Sequence, residues 1–507
     1  VLSLAGGITA SAWQAREARA QRVQAEGLVE FMLGDLRKKL QPVGRLDVLD
    51  AVGEKALAYY DAQDGARLDA DSLGRRARAL HLIGEIAQQR GKLGDALKVF
   101  QAAADSTAHL MEMHPGDAQR VFDHAQSVFW VGNAAREQGH TTDARAAFQR
   151  YRELARKLVQ LDPAKLDWQV EAAYAATNLG VAHLDDNEPQ AALPLFGEAL
   201  PIFVEAARKQ PGLNYEVAAT HGWRAKALEQ MGQYGDALAE QGAKMGVLSG
   251  MPDASSNRRV QRLMANADME RGRLELCCGS IDAAARWTAE ARRRFEALVA
   301  FDKSNLVWRG ERLAVLLLEA DVALAAGNTS AAKSALDDAQ ADIEVLVPSD
   351  PSNSTWRFYQ RARWLVGRDR LSLMLHRAID QPALEVFLAD LHSQGHEKER
   401  AEAMNTLPVA EVECQLAEAL RGTPGKEGRM HDLLRSAAAR LEARVRTGDM
   451  PAVLLLSRIR WRQGDLKSAR QLLQRVEASN YRHPVYAELV NLMAQETGRA
   501  GNSTQRR

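Results

Sequence analysis

The sequence predicts an all-α fold, an α-solenoid of stacked helical hairpins, and three observations carry that prediction. A junction phrase recurs at a fixed interval: Pro115, Pro163 and Pro211 stand 48 residues apart, as do Lys303 and Pro351. Such a period marks a stacked array, in which each unit hides its apolar face only against its neighbours. Between the junctions a second pattern repeats: a small residue, a turn residue seven positions on, an alanine five later and a bulky residue four after that. Finally, the 507 residues are rich in Ala, Leu, Arg, Glu and Gln and hold only 15 prolines, the bias of a helical chain too long for one core.

From the N-terminus, residues 1–13, "VLSLAGGITASAW", carry no charge and end on Trp13. They are shorter than the about 20 residues a helix needs to cross a bilayer, and no basic n-region of a signal peptide precedes them. They read as the remnant of a transmembrane helix; a buried N-terminal helix is the alternative. Residues 14–74 read as a helical linker module. Leu28, Phe31, Met32 and Leu36 make one apolar stripe, Pro42 breaks it, and Leu46, Leu49, Val52, Ala56 and Tyr59 make a second.

The repeat array occupies 75–355. Its first unit has Gly84, Gly91, Ala96 and Phe100, its second Gly132, Gly139, Ala144 and Phe148, and its third Gly180, Asn187, Ala192 and Phe196. Weaker copies follow at Ala225, Gly232 and Ala237, at Gly272, Gly279 and Ala284, and at Ala320, Gly327, Ala332 and Leu336. Each position has a physical reason. The small residue lets the second helix approach, the Gly or Asn ends the first helix in the left-handed conformation, and the Ala/Phe pair fills the seam. The junction proline stops the second helix, and the tryptophans that follow, Trp168, Trp308 and Trp356, are expected to be buried between hairpins. Residues 356–450 read as degenerate helical repeats, 451–497 as a C-terminal hairpin with Gly464, Ala469 and Leu473, and 498–507 as a disordered tail.

The stretches "GEIAQQRGKLGDALKVFQAAAD", "GNAAREQGHTTDARAAFQRY" and "EQMGQYGDALAEQGAK" resemble the tetratricopeptide repeat (TPR) family in their small-residue, Gly, Ala, aromatic spacing. The family repeat is 34 residues long, whereas these units run to about 48, so both helices must be longer. The segment "AEGLVEFMLGDLRKKLQPVGRLDVLDAVGEKALAYYDAQ" is similar to the membrane-proximal linker of single-pass bacterial signalling proteins with Ser/Thr kinase or TIR-type effectors. That resemblance implies a membrane-anchored chain whose array is extracytoplasmic (periplasmic); a cytoplasmic TPR scaffold is the alternative.

The chain shows little sign of chemistry. Lys plus Arg and Asp plus Glu both number 66, so no net charge favours nucleic acid, and none is expected as a partner. Cys277, Cys278 and Cys414 cannot form a disulfide framework, and Cys277 and Cys278 read as small core residues at a helix end. His396 lacks a second histidine four residues on, so the zinc-protease spacing fails. Around "RGTPGKEG", Leu420 and Glu427 stand where a phosphate loop needs Gly and Ser or Thr, which leaves a surface loop. Asp185, Asp186 and Glu188 fall at a hairpin turn and read as caps, not as a calcium site. The basic, aromatic "WRFYQRARWLVGRDR" could hold a nucleic acid or a membrane, but Trp356 is already explained as a junction residue. No catalytic residue, metal or cofactor is expected.

What remains is binding. Arrays of this kind take peptides or partner proteins on the concave face, lined by the first helix of each hairpin. In the TPR resemblance the fifth, ninth and twelfth repeat positions face that groove. They fall on His81, Glu85 and Gln88, on Phe129, Asn133 and Arg136, and on Thr177, Lys226 and Arg273. The expected function is a non-catalytic protein-interaction or sensory array, with the two arginines as clamps for a carboxylate.

Overall fold

A computed structural model describes residues 70–89, 92–351, 353–393 and 407–493, with short pieces before residue 61. The apolar opening 1–13, the linker reading over most of 14–74, Gly91, His396 and the tail 498–507 lie outside the described residues. No strand is present among the described residues, and none of their helices is long and apolar enough to cross a membrane. The chain divides into two compact units, Val1–Pro211 and Gly212–Arg507, at one of the junction prolines.

The first unit holds α1 (Ala70–Gln89), α2 (Leu93–Met113), α3 (Ala118–Glu137), α4 (Thr141–Leu161), α5 (Leu166–Asp185) and α6 (Pro189–Ala207), packed as three hairpins in chain order. Ahead of them Ala56 and Tyr60 are buried against Leu80 and Ile83, with Tyr59 beside them, whereas Leu28 and Phe31 of the other expected stripe are exposed. The second unit begins with the hairpins α7 (Asn214–Gln230) with α8 (Tyr234–Ser249), α9 (Arg258–Cys277) with α10 (Ile281–Phe301), and α11 (Leu306–Ala325) with α12 (Thr329–Ser349). A π-helical turn, Thr355–Gln360, leads into α13 (Arg361–Met374). Then come α14 (Gln381–Ser393), α15 (Leu407–Ala419), α16 (Glu427–Arg446), α17 (Met450–Arg462) and α18 (Leu466–Glu477).

The hairpin turns close as their sequence requires. Gly139, Asn187, Gly232, Gly279, Gly327 and Gly464 all have φ between +60° and +83°. One residue later the amide reaches back five positions to an otherwise unpaired carbonyl, as from His140 to Ala135 (2.9 Å), Gln233 to Leu228 (2.8 Å) and Asp465 to Arg460 (3.0 Å). This is the left-handed helix stop that glycine makes at least cost. Gly448, with φ +84°, closes a turn between α16 and α17 that lay inside the stretch read as degenerate.

The small residue of the pattern acts through the ring it leaves room for. A Cβ added at Gly84 would lie 2.5 Å from the Phe100 ring, at Gly132 2.8 Å from Phe148, and at Gly180 2.7 Å from Phe196. Those three phenylalanines are completely or almost completely buried. The junction tryptophans are less uniform than expected. Trp168 is buried, tilted against Phe122 with the Lys165 ammonium over its face. Trp308 and Trp356 are half-buried: each lays one side on a cluster, Trp308 near Phe295 and Leu298, Trp356 near Leu313 and Leu346.

The seam makes a test. Gly180→Ala should destabilise the chain by about 1–3 kcal/mol through overpacking, although alanine is the better helix former. Gly242 lies mid-helix in α8 with open space where its Cβ would go, so Gly242→Ala should be neutral or stabilising by up to about 1 kcal/mol. Denaturant titration of both variants checks the opposite signs.

Candidate inner-face binding site

In the second unit the first helices of successive hairpins crowd together. α9 touches α11, α11 touches α13, α13 touches α15 and α15 touches α17, while no two successive second helices meet as extensively. In a curved stack the crowded layer is the inner one, so this row forms the concave face. It is crossed by ion pairs about one repeat apart in sequence. Arg273 on α9 donates two hydrogen bonds to Glu229 on α7 (2.5 and 2.7 Å). Arg363 on α13 pairs with Asp321 on α11 (2.8 Å), and Arg458 and Arg462 on α17 both reach Glu418 on α15 (2.6 and 2.9 Å).

These pairs are partly buried. The Arg273 side chain keeps about a third of its surface open. Burial opposes its charge, and Glu270 and Glu229 more than restore it, holding the guanidinium above its ordinary pKa. Burial would raise the Glu229 carboxyl, but Arg273 and Lys226 bring it down to about 2. Burial raises the Glu411 carboxyl on α15.

The row also carries an occupant from its own chain. After α18 the chain runs without helix through Tyr481–His483 and turns helical again from residue 484. The Arg482 amide donates to the Cys277 carbonyl at the end of α9 (2.7 Å). Tyr481 is buried, tilted against Tyr234 at 6.0 Å and stacked on His483 at 5.8 Å, and Glu488 pairs with Arg370 of α13 (3.6 Å). Burial pushes the Cys277 thiol up to about 12, which leaves it an inert core group.

The residues expected to line the groove have these places. In the first unit, His81 of α1 is half-buried, shares a hydrogen bond with Ser127 of α3 (2.8 Å), and is lowered by burial to about 4. Glu85 and Gln88 lie on the same helix, both half-buried. Phe129 packs against Phe148 and Tyr151 inside its hairpin, so its ring belongs to the core. Asn133 bonds Glu137 (3.4 Å), Arg136 pairs with Asp185, and the Thr177 hydroxyl donates to the Ala173 carbonyl (2.9 Å). In the second unit, Lys226 is exposed beside Glu229 (3.5 Å) and Arg273 is the bidentate partner described above. Arg136 and Arg273, read as carboxylate clamps, already hold carboxylates of the chain one repeat away.

Other motifs resolve into structure. Asp186 and Glu188 pair with Arg145 (3.2 Å each), so the acidic turn ties two hairpins together. The basic, aromatic helix is internally neutralised: Arg357 and Arg361 reach Asp390, Arg363 reaches Asp321, and Arg368 reaches Asp369 and Asp380. Among the described residues no cluster of His, Cys, Asp and Glu is placed to hold a metal ion. The segment 481–488 was missed; its contacts reach back some two hundred positions, beyond any local pattern.

The small–turn–Ala–bulky hairpin, with its glycine under the partner's ring, is the feature that decides the architecture. The repeats are tetratricopeptide-like. No protein-family profile matches the chain, and no curated protein matches it in sequence. Among solved structures, the apo form of RapI is 11% identical, with 82% of this chain and 97% of that one covered and a TM-score of 0.48. The apo quorum sensor NprR from B. thuringiensis is 13% identical over 84% of this chain and 100% of that one, with a TM-score of 0.46. BtubC from P. vanneervenii is 14% identical over 50% and 92%, with a TM-score of 0.41. With TM-scores below 0.5, none of the three adds to what the hairpin geometry of this TPR-like chain establishes.

The ladder is testable through Glu229. Glu229→Gln leaves the Arg273 donors without their anion and should cost roughly 1–3 kcal/mol at neutral pH. Folding lowers this carboxyl from 4.5 to about 2, so the stability it contributes is complete above about pH 4.5 and is lost as pH falls through about 2. Denaturation of wild type and variant across that window should show their difference shrinking with acidity.

Proposed function

We propose that the chain is a non-catalytic interaction array that binds an extended polypeptide of a partner along the first-helix row of its second unit. The observation that carries this reading is the segment Tyr481–His483. It lies across the end of that row, its backbone bonded to the carbonyl that ends α9 and its tyrosine buried against Tyr234 at the start of the second helix α8. Extended peptides need main-chain partners and a pocket for an anchoring side chain, and the row together with the start of α8 offers both. Its remaining polar groups are arranged as ion pairs, which set register and exclude mismatched charge more than they add affinity.

Site-specific photocrosslinking tests the proposal. A photoreactive residue at exposed Lys226, on the first-helix row, should capture a partner in the native cell. The same group at exposed Lys333, on the second helix α12, should not. Capture from Lys333 alone would contradict the proposal.

A further inference from the structure

α18 ends at Glu477; beyond it a His-Pro pair at 483 and 484 opens a further helical stretch, and these residues return to contact α8, α9 and α13. The segment's hold on the row has three parts. Tyr481 is 4% exposed, beside Tyr234 and near the carboxylates of Asp449 and Glu411. The Arg482 amide takes up Cys277 O, a carbonyl in the last turn of α9 where helical donors have run out. Gly279 makes room for the passing backbone: a Cβ there would lie 2.8 Å from Arg482 O. Leu489 is also buried, and the rest is light. The Glu488 side chain is more than half exposed in its pair with Arg370, and Arg482 points its guanidinium at the carbonyls of Ser479 and Tyr481 of its own segment.

Two buried side chains, Tyr481 and Leu489, with one main-chain bond and a long exposed ion pair make an occupant that a competing peptide can replace. Resting on the polypeptide-binding reading above, we infer that residues 479–493 are an internal competitor for the inner face. The external ligand is then an extended segment with a tyrosine anchor followed by a free backbone N–H, which enters by displacing them. Backbone recognition at Cys277 tolerates different sequences, while the Tyr234 pocket selects the anchor. Holding the segment in cis gives it a high effective concentration, so weak contacts suffice to keep the site closed.

The experiment uses the full chain and a fluorescent peptide of its own sequence, Ser479–Tyr486, added in trans, with anisotropy as the readout. Tyr481→Ala in the chain should bind this peptide at least tenfold more tightly than wild type. Glu488→Lys, which reverses one exposed charge and leaves the core intact, should fall between the two. A peptide carrying Tyr481→Ala should bind neither. Equal affinity for wild type and both variants would overturn the inference. So would absence of binding to Glu488→Lys and to a helical Tyr481→Ala, since the segment would then be a fixed cap. Should Tyr481→Ala fail to fold, Glu488→Lys decides alone. Partner capture at Lys226 alongside such a failure removes only the competitor; loss of both removes the binding reading as well.

Discussion

The structure depends on one contact made repeatedly: a side chain of the second helix lying where the first helix has almost none. In three hairpins the partners are glycine and phenylalanine, Gly84 with Phe100, Gly132 with Phe148 and Gly180 with Phe196. Where the small residue gains a methyl, the ring is lost opposite it, as in Ala320 with Leu336 and Ala225 with Gln241; Gly272 keeps its glycine opposite Thr288, whose hydroxyl would lie 2.6 Å from an added Cβ. In each case the two positions stay in close contact, as close-packed interiors demand. Close helix pairs let each hairpin present two faces to its neighbours, and only then can the first helices crowd into an inner row.

Upon that seam rests a ladder of charge. Glu229 with Arg273, Asp321 with Arg363 and Glu418 with Arg458 join helices of different hairpins, and each separation in sequence is 40 to 44 residues. Partly buried pairs of this kind add little net stability, because desolvation offsets much of their attraction; breaking one is costly. Their effect is to fix which hairpin faces which. They also make the inner face polar without making it charged, a surface on which a neutral, hydrogen-bonding backbone is a better guest than a polyanion.

Much of the fold was legible because turns and seams are written in local spacing. Gly139, Asn187, Gly232, Gly279, Gly327 and Gly464 each announce a left-handed residue, and each adopts one. Trp168 reads correctly as core, while Trp308 and Trp356 are covered on one side only, which depends on neighbours that spacing does not reveal. The first-helix positions were legible, and the charges they pair with were not. Arg136 and Arg273 sit on first helices, but their carboxylates, Asp185 and Glu229, stand 49 and 44 residues away. A search for an acid one repeat from each inner arginine would have found them. Tyr481 offered no such signal: its contacts with Tyr234 and the α9 turn come from the course of the whole second unit, not from any period.

The central claim is that ring and glycine are one unit, and a double-mutant cycle at Gly180 and Phe196 tests it most directly. Replacing both, Gly180→Ala with Phe196→Leu, recreates the pairing that Ala320 and Leu336 already make. A shared seam predicts that the double variant loses less stability than the two single losses added together, by on the order of 1 kcal/mol, because leucine vacates the space the new methyl needs. Strict additivity would contradict it, showing that the two residues act on stability separately and that the repeated spacing does not encode a shared seam.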